Sequence, residues 1–315
     1  MPLEAFYVPN PVVRRILAIE AGMLAVTAVL YSVTGLTIAW QTVAAPAAVL
    51  GLLFGVWAWY AHAPARRRRP WIADTLLATL LLVLFTNIGG PAQYAGVAAG
   101  FPLVDPWLAA ADASLGIHVP SLAEWTSGHP YVALALVAAY FTLLPQFVLP
   151  LVVLGLFYRD REAIWEYVFH FHVCLTVTLA GVMLLPAACA FTYYGFTSII
   201  DQTRFISHFE GLRNGTLTQV RFDDIEGLIS FPSFHVAGGM MVTWAFRGYC
   251  RWRAVLCVLN AALISATVLT GAHYGIDLLL TLALFAGSVA LWRAWGRTGM
   301  TASAAPAGTA QSIAA

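Results

Sequence analysis

Eight apolar stretches of helical length punctuate this chain, and no other feature limits its fold as much. They cover about residues 16 to 37, 42 to 62, 72 to 96, 130 to 157, 165 to 191, 233 to 249, 254 to 272 and 275 to 293. A hydrocarbon layer about 30 Å thick is crossed by roughly 20 apolar residues in a helix, and it lets backbone polar groups pair only within helices or closed barrels. The alternation of a barrel strand is absent, so all eight stretches read as helical spans. With 60% hydrophobic and 10% charged residues over 315 positions, the composition excludes an ordinary soluble domain. The expected fold class is all-α, a polytopic membrane helical bundle of about eight transmembrane helices.

The first stretch is too long for a signal-peptide core and a second span follows almost at once, so it reads as an uncleaved anchor. Cys174, Cys189, Cys250 and Cys257 lie in or beside apolar segments without metal-knuckle spacing, and read as small packing residues. The chain has no lysine, and its sixteen cationic side chains are arginines whose placement sets the orientation. Arg14 and Arg15, the run Arg66 to Arg69, Arg159 and Arg161, the group Arg247, Arg251 and Arg253, and Arg293 with Arg297 all fall on one face of an eight-span topology. The positive-inside rule makes that face, with both termini, cytoplasmic, and the expected location is the inner (plasma) membrane.

Arg204, Arg213 and Arg221 break that pattern, because all three sit in the outer connection 192 to 232. Translocated arginines are disfavoured, and three in one loop suggest an anion to be held. The competing reading is a solvated loop balanced by Asp201, Glu210, Asp223, Asp224 and Glu226. The other outer connection, "FPLVDPWLAAADASLGIHVPSLAEWTSGHP", reads as interfacial, either bordering a lipid entrance or covering the bundle. The tail after Arg297 is small, polar and rich in Pro, Gly and Ala, and is expected to be disordered. No internal repeat or nucleotide-binding glycine loop is present.

Two stretches carry chemistry, "FPSFH" at 231 to 235 and "GAHYGID" at 271 to 277. Both fall on the outer face, so His235, His273 and Asp277 can converge there. His273 and Asp277 are one helical turn apart, so the carboxylate can accept a hydrogen bond from one ring nitrogen and leave the other as a nucleophile. His235, on another helix, suits the acid that a departing alkoxide needs. Pro232 and Ser233 at a helix start offer free N–H groups, a dipole and a hydroxyl to a phosphoryl oxygen, with the loop arginines completing a cradle. Gly271 and Gly275 would let a phosphate approach the backbone, or would serve close helix crossing. Singly, an interfacial histidine or a helix-start aspartate is more often structural; their coincidence on one face favours a site. His170 and His172 read as packing or gating residues at another depth, and Glu20 and Asp74 as anchors or arginine partners.

These residues resemble the type 2 phosphatidic acid phosphatase superfamily. "FPSFH" is similar to its Pro-Ser-x-His motif and "GAHYGID" to its His-x-x-x-Asp motif. The "HYGID" form and "PLVDPWLAAADASLG" resemble the branch containing inositol phosphorylceramide synthases and, more distantly, sphingomyelin synthases. The resemblance covers about residues 72 to 293, which implies a six-helix catalytic core over 71 to 297, two added N-terminal helices in 1 to 70, and a cytoplasmic tail from 298 to 315. It implies that His273 forms a phosphohistidine, that Asp277 orients it, that His235 protonates the leaving group and then activates the acceptor, and that Ser233 helps hold the phosphate. It also implies a metal-independent reaction, with no cofactor. Two departures stand out: the family's lysine-and-arginine motif is not recognisable, leaving Arg213, or else Arg204 or Arg221, to substitute, and Thr267 occupies the place of an arginine six residues before the nucleophile.

The expected function is therefore a membrane phosphatase or phosphotransferase acting on a lipid phosphate at the outer face, with water or an alcohol as acceptor. Its partners are that lipid and the bilayer, with no nucleic acid; the sequence leaves the oligomeric state open. The rival readings are a transporter or lipid-binding protein using the same cluster as a proton relay or substrate site, and a zinc site at His235, His273 and Asp277.

Overall fold

The computed structural model describes residues 9–64 and 69–296. Arg66, Arg67, Arg68, Arg297 and the tail from 298 lie outside the described residues, and so does the expectation of a disordered tail. Among the described residues the chain is helical apart from one short strand pair. Six helices are long and apolar enough to cross a membrane: α1 (Val12–Thr34), α2 (Ala44–His62), α3 (Pro70–Ala98), α8 (Arg161–Leu184), α12 (Cys250–Leu269) and α13 (Gly275–Leu291) with the turn that follows it. A bent pair, α6 (Pro130–Phe141) and α7 (Leu143–Pro150) with its continuation to Tyr158, meets at 42° and is long and apolar enough together to make a seventh span.

The expected span over 233 to 249 is shorter than its apolar run. Its helix α11 covers Phe234–Ala245, 12 residues, or about 18 Å of rise against a hydrocarbon layer of about 30 Å. The reason lies in its surroundings. No residue of α11 is exposed, and it packs against α7, α8, α12 and α13. A helix enclosed by protein has no lipid thickness to match. By contrast α2 has Ala61 as its buried residue and shows Leu52, Phe54 and Trp59 to the surroundings.

The connection read as interfacial folds as α4 (Asp105–Ser114) and α5 (Val119–Ser127), each with proline in its first turn, where a missing N–H costs nothing. The second connection contains α9 (Ala190–Tyr194) and α10 (Thr203–Arg213). Strands β1 (Thr37–Ile38) and β2 (Gln219–Val220) pair in parallel and tie this connection to the link between α1 and α2. Phe222 N–H also donates to Thr42 Oγ1 at 2.9 Å.

The core centres on α3 and α8, around Phe85, Trp165, Tyr167 and Phe169. At the C-terminal end of α8, Gly181 faces Phe231 and Pro232, and a Cβ there would overlap the Phe231 carbonyl oxygen. That glycine lets the chain entering α11 lie against α8. From α3, Gln93 accepts from Leu228 N at 2.8 Å and donates to the Glu226 carbonyl at 2.9 Å, and the Tyr94 hydroxyl accepts from Glu226 N at 2.9 Å. The approach to the "FPSFH" stretch is therefore fastened before the helix begins.

Candidate active site

The start of α11, the turn between α12 and α13, and the start of α13 meet at one end of the bundle. Ser233 is the N-cap of α11, its hydroxyl accepting from Val236 N at 3.3 Å. Its own N–H donates to Asp277 Oδ1 at 3.0 Å and is shared with Thr281 Oγ1 at 3.2 Å. Thr281, one turn after Asp277, donates its hydroxyl to the same carboxylate oxygen at 3.1 Å. Asp277 is thus fully buried and joined to both helices.

The other oxygen, Oδ2, lies 2.9 Å from His273 Nδ1, and the Ser230 carbonyl oxygen lies 2.8 Å from the same nitrogen. Two acceptors around one ring nitrogen require it to carry the proton. Nε2 is left with its lone pair, 3.3 Å from Ser233 Oγ. The ring is buried, at 3% exposure. His235 is half-buried and stacks on Tyr140, with centroids 4.2 Å apart, and its ring nitrogens have no hydrogen-bond partner among the described residues. The two imidazole centroids are 6.3 Å apart, close enough for both rings to reach one phosphoryl group. The structure therefore brings His235, His273, Asp277 and Ser233 together.

The remaining expected residues divide. Arg204 pairs with Asp224 at 2.8 Å and Glu226 at 3.2 Å, and Arg221 with Asp223 at 2.7 Å, so both are answered within their own loop. Arg213 makes no ion pair among the described residues, although its charge acts on the Asp105 carboxyl. It donates to the Phe101 carbonyl at 3.0 Å and lines a pocket of about 370 Å³ with Ala188, Thr192 and Glu210. Gly271 has φ +82°, and the ring of Phe196 fills the space where its side chain would stand. Its glycine is accounted for by conformation and packing, and phosphate contact is not needed to explain it. Thr267, buried, accepts His273 N–H at its carbonyl at 2.9 Å and so fixes the turn.

Two residues that sequence reasoning did not single out hold this frame. Asp105 and Asp112 are seven apart on α4, two helical turns, and both are buried. Asp112 accepts from Gly275 N at 2.8 Å and Ile276 N at 2.6 Å, capping the helix that carries Asp277. Asp105 accepts from Ala188 N at 2.9 Å and from the Tyr274 hydroxyl at 2.8 Å. Burial raises both carboxyls above the ordinary aspartate value, with these hydrogen bonds opposing the shift. A spacing of seven within "DPWLAAAD" was the available signal. Cys189, 3.0 Å from Ser230 Oγ, has its thiol pushed up by burial and stays protonated.

Glu20 partners a histidine: His172 Nε2 is 3.0 Å from its carboxylate. Asp74 does meet an arginine, Arg161, and also accepts from Trp165 Nε1 at 3.1 Å. Among the described residues no three His, Cys, Asp or Glu side chains are grouped as a metal ion requires, so the zinc reading lacks its ligand set.

The model of the PAP2 superfamily matches residues 106–291. The chain belongs to that superfamily. The match takes in Ser233, His235, His273 and Asp277, as well as Asp112, and leaves out α1, α2 and α3. No curated protein and no solved structure matches this chain. Its place within the PAP2 superfamily thus rests on the matched segment and on the geometry above.

Proposed function

We propose that this PAP2-superfamily protein transfers the phosphoryl or phospho-headgroup of a lipid phosphate through a covalent phosphohistidine at His273. The observation that carries the reading is the double acceptor at Nδ1, which leaves Nε2 unprotonated inside a buried frame, with the second imidazole 6.3 Å away between centroids. Nε2 attacks phosphorus, the P–O bond to the leaving group breaks, and protonated His235 gives its proton to the departing oxygen. Neutral His235 then takes a proton from water or an alcohol, whose oxygen attacks phosphorus while the P–N electrons return to Nε2. Asp277 stays ionised and stabilises the cationic ring throughout. No metal enters these steps.

Ser233 Oγ and the first N–H groups of α11 supply donors to phosphoryl oxygens. Arg213, the loop arginine in no ion pair among the described residues, is the cation we assign to the headgroup. The catalytic end is assigned to the outer face of the inner membrane, with both termini cytoplasmic, on the arginine distribution. The division into two N-terminal helices and a core over 71 to 297 follows the same reading. The "HYGID" form favours an inositol phosphorylceramide synthase-like transferase, with an alcohol as acceptor.

The test is phosphate release from a panel of lipid phosphates by purified protein with EDTA present, comparing wild type with His273→Ala. EDTA-resistant release lost in the variant supports the phosphatase form. If release is absent with every lipid, adding alcohol acceptors must restore transfer by folded wild type; failure there ends the proposal.

A further inference from the structure

Away from the histidines, α11, α12 and α13 leave a crevice of about 790 Å³ that contains none of the catalytic residues. Its walls are mostly apolar, with Met240, Ile264, Leu282, Phe285 and Val289, and carry the polar side chains of Thr243 and Asn260. Its far end, at the opposite end of these helices from Ser233 and His273, is bordered by Arg247, Arg253 and Arg293. From Leu282 to Arg293 the chain advances eleven residues, about 16 Å of helix. The space is therefore long, mostly apolar and cationic at one end.

The charge at that end is only partly answered. Arg247 is held by Glu166 at 2.6 Å and lies over the Trp244 ring at 4.9 Å. Arg253 donates to a backbone carbonyl, that of Arg247, at 3.5 Å. Arg293 has neither hydrogen bond nor ion pair among the described residues. Two guanidinium groups thus remain without a carboxylate beside a groove whose walls prefer hydrocarbon. A free inorganic anion would satisfy the arginines and leave the walls unfilled, and a neutral lipid would do the reverse.

We infer that this crevice binds one phospholipid with an anionic headgroup, drawn from the leaflet on the side away from the histidines, its phosphate between Arg253 and Arg293 and an acyl chain along α13. The site is distinct from the reaction centre and does not depend on the chemistry proposed for His273.

Trp244 lines the crevice and reports on it. The purified full chain is placed in phosphatidylcholine vesicles with increasing fractions of brominated phosphatidylglycerol, and the fluorescence lost in Trp244→Phe isolates the quenching of that ring. Quenching should saturate at a low fraction and require several-fold more brominated phosphatidylcholine for the same effect. Arg253→Gln with Arg293→Gln should raise the required phosphatidylglycerol fraction on the order of tenfold, from the usual attraction of an arginine to an anionic membrane lipid. Ala286→Leu, which fills the wall, should lower the maximal quenching, with thermal unfolding reporting that each variant is folded. Quenching that follows bulk bromine equally for both lipids, or that is unchanged in the arginine variant, overturns the inference. So does protection of the site by inorganic phosphate alone, which would identify a free anion.

Discussion

The bundle buries histidine–carboxylate pairs at two depths, and two of them, His273–Asp277 and His172–Glu20, differ in whether a ring nitrogen is left over. In the pair His273–Asp277, Nδ1 takes both acceptors and Nε2 meets just a hydroxyl at 3.3 Å. In the pair His172–Glu20, both nitrogens are engaged, Nδ1 with the Val168 carbonyl at 2.7 Å and Nε2 with the carboxylate at 3.0 Å. His170 is a third case: its Nδ1 meets Ser288 Oγ at 3.1 Å, while its Nε2, 3.5 Å from Glu166, makes no hydrogen bond among the described residues, that carboxylate being held by Trp244 and Arg247. All three rings are buried beside a carboxylate, an aspartate in one case and a glutamate in two. What singles out His273 as the proposed nucleophile is a left-over nitrogen together with a second histidine ring 6.3 Å away between centroids.

The largest contrast should come from the rings themselves. His273→Gln should lower turnover by about a thousandfold or more, as loss of a covalent nucleophile does. His172→Leu should keep turnover near wild type per folded molecule while lowering stability by about 3 kcal/mol, because it leaves Glu20 buried without its partner. Phosphate transfer and thermal unfolding in one detergent measure both, and a folded but inactive His172→Leu would erase the distinction.

Asp277→Asn should have a smaller effect than removal of the ring. The Ser230 carbonyl still holds the proton on Nδ1, so what is lost is charge stabilisation, and turnover should fall by about a hundredfold with KM little changed. A loss as large as that of His273→Gln would mean that the carbonyl does not fix the tautomer. Asp112→Ala should be milder still, removing the cap of α13 for about 1 kcal/mol and slowing turnover while leaving its pH profile in place.

The smallest effect concerns pH. Burial holds the Asp105 carboxyl above its ordinary 3.8, so the folded form binds this proton more tightly than the unfolded chain. Its contribution to stability is fully present below that value and is lost as pH rises through the raised one. Asp105→Asn should flatten unfolding temperature against pH in that window; an unchanged slope would assign the dependence elsewhere.

The reaction frame was legible because its residues lie in two short stretches that a topology argument places on one face. His235, Ser233, His273 and Asp277 needed no knowledge of long-range packing. The arginine cradle was less legible: counting cations in a loop does not say that Asp223, Asp224 and Glu226 will fold back onto Arg204 and Arg221. Asp105 and Asp112 were hidden for another reason, since their partners are backbone N–H groups about 80 and 160 residues further along. Such groups leave no mark on composition. The length of α11 was misjudged because an apolar run shows where lipid or protein could lie, and only packing tells which.

The parallel pairing of β1 with β2 has a consequence for how the chain comes to exist. Helices α1 and α2 emerge from synthesis before the segment that their link pairs with, and the edge of Thr37–Ile38 must wait for residues 219 and 220 before its amide groups find partners. The segment that leads into "FPSFH" is then seated on a strand laid down some 180 residues earlier. A chain begun at residue 71 would present that segment with an open edge, and an open edge is a template for pairing with neighbouring copies. The link between the first two helices thereby covers, from within the same chain, an edge that would otherwise stand open.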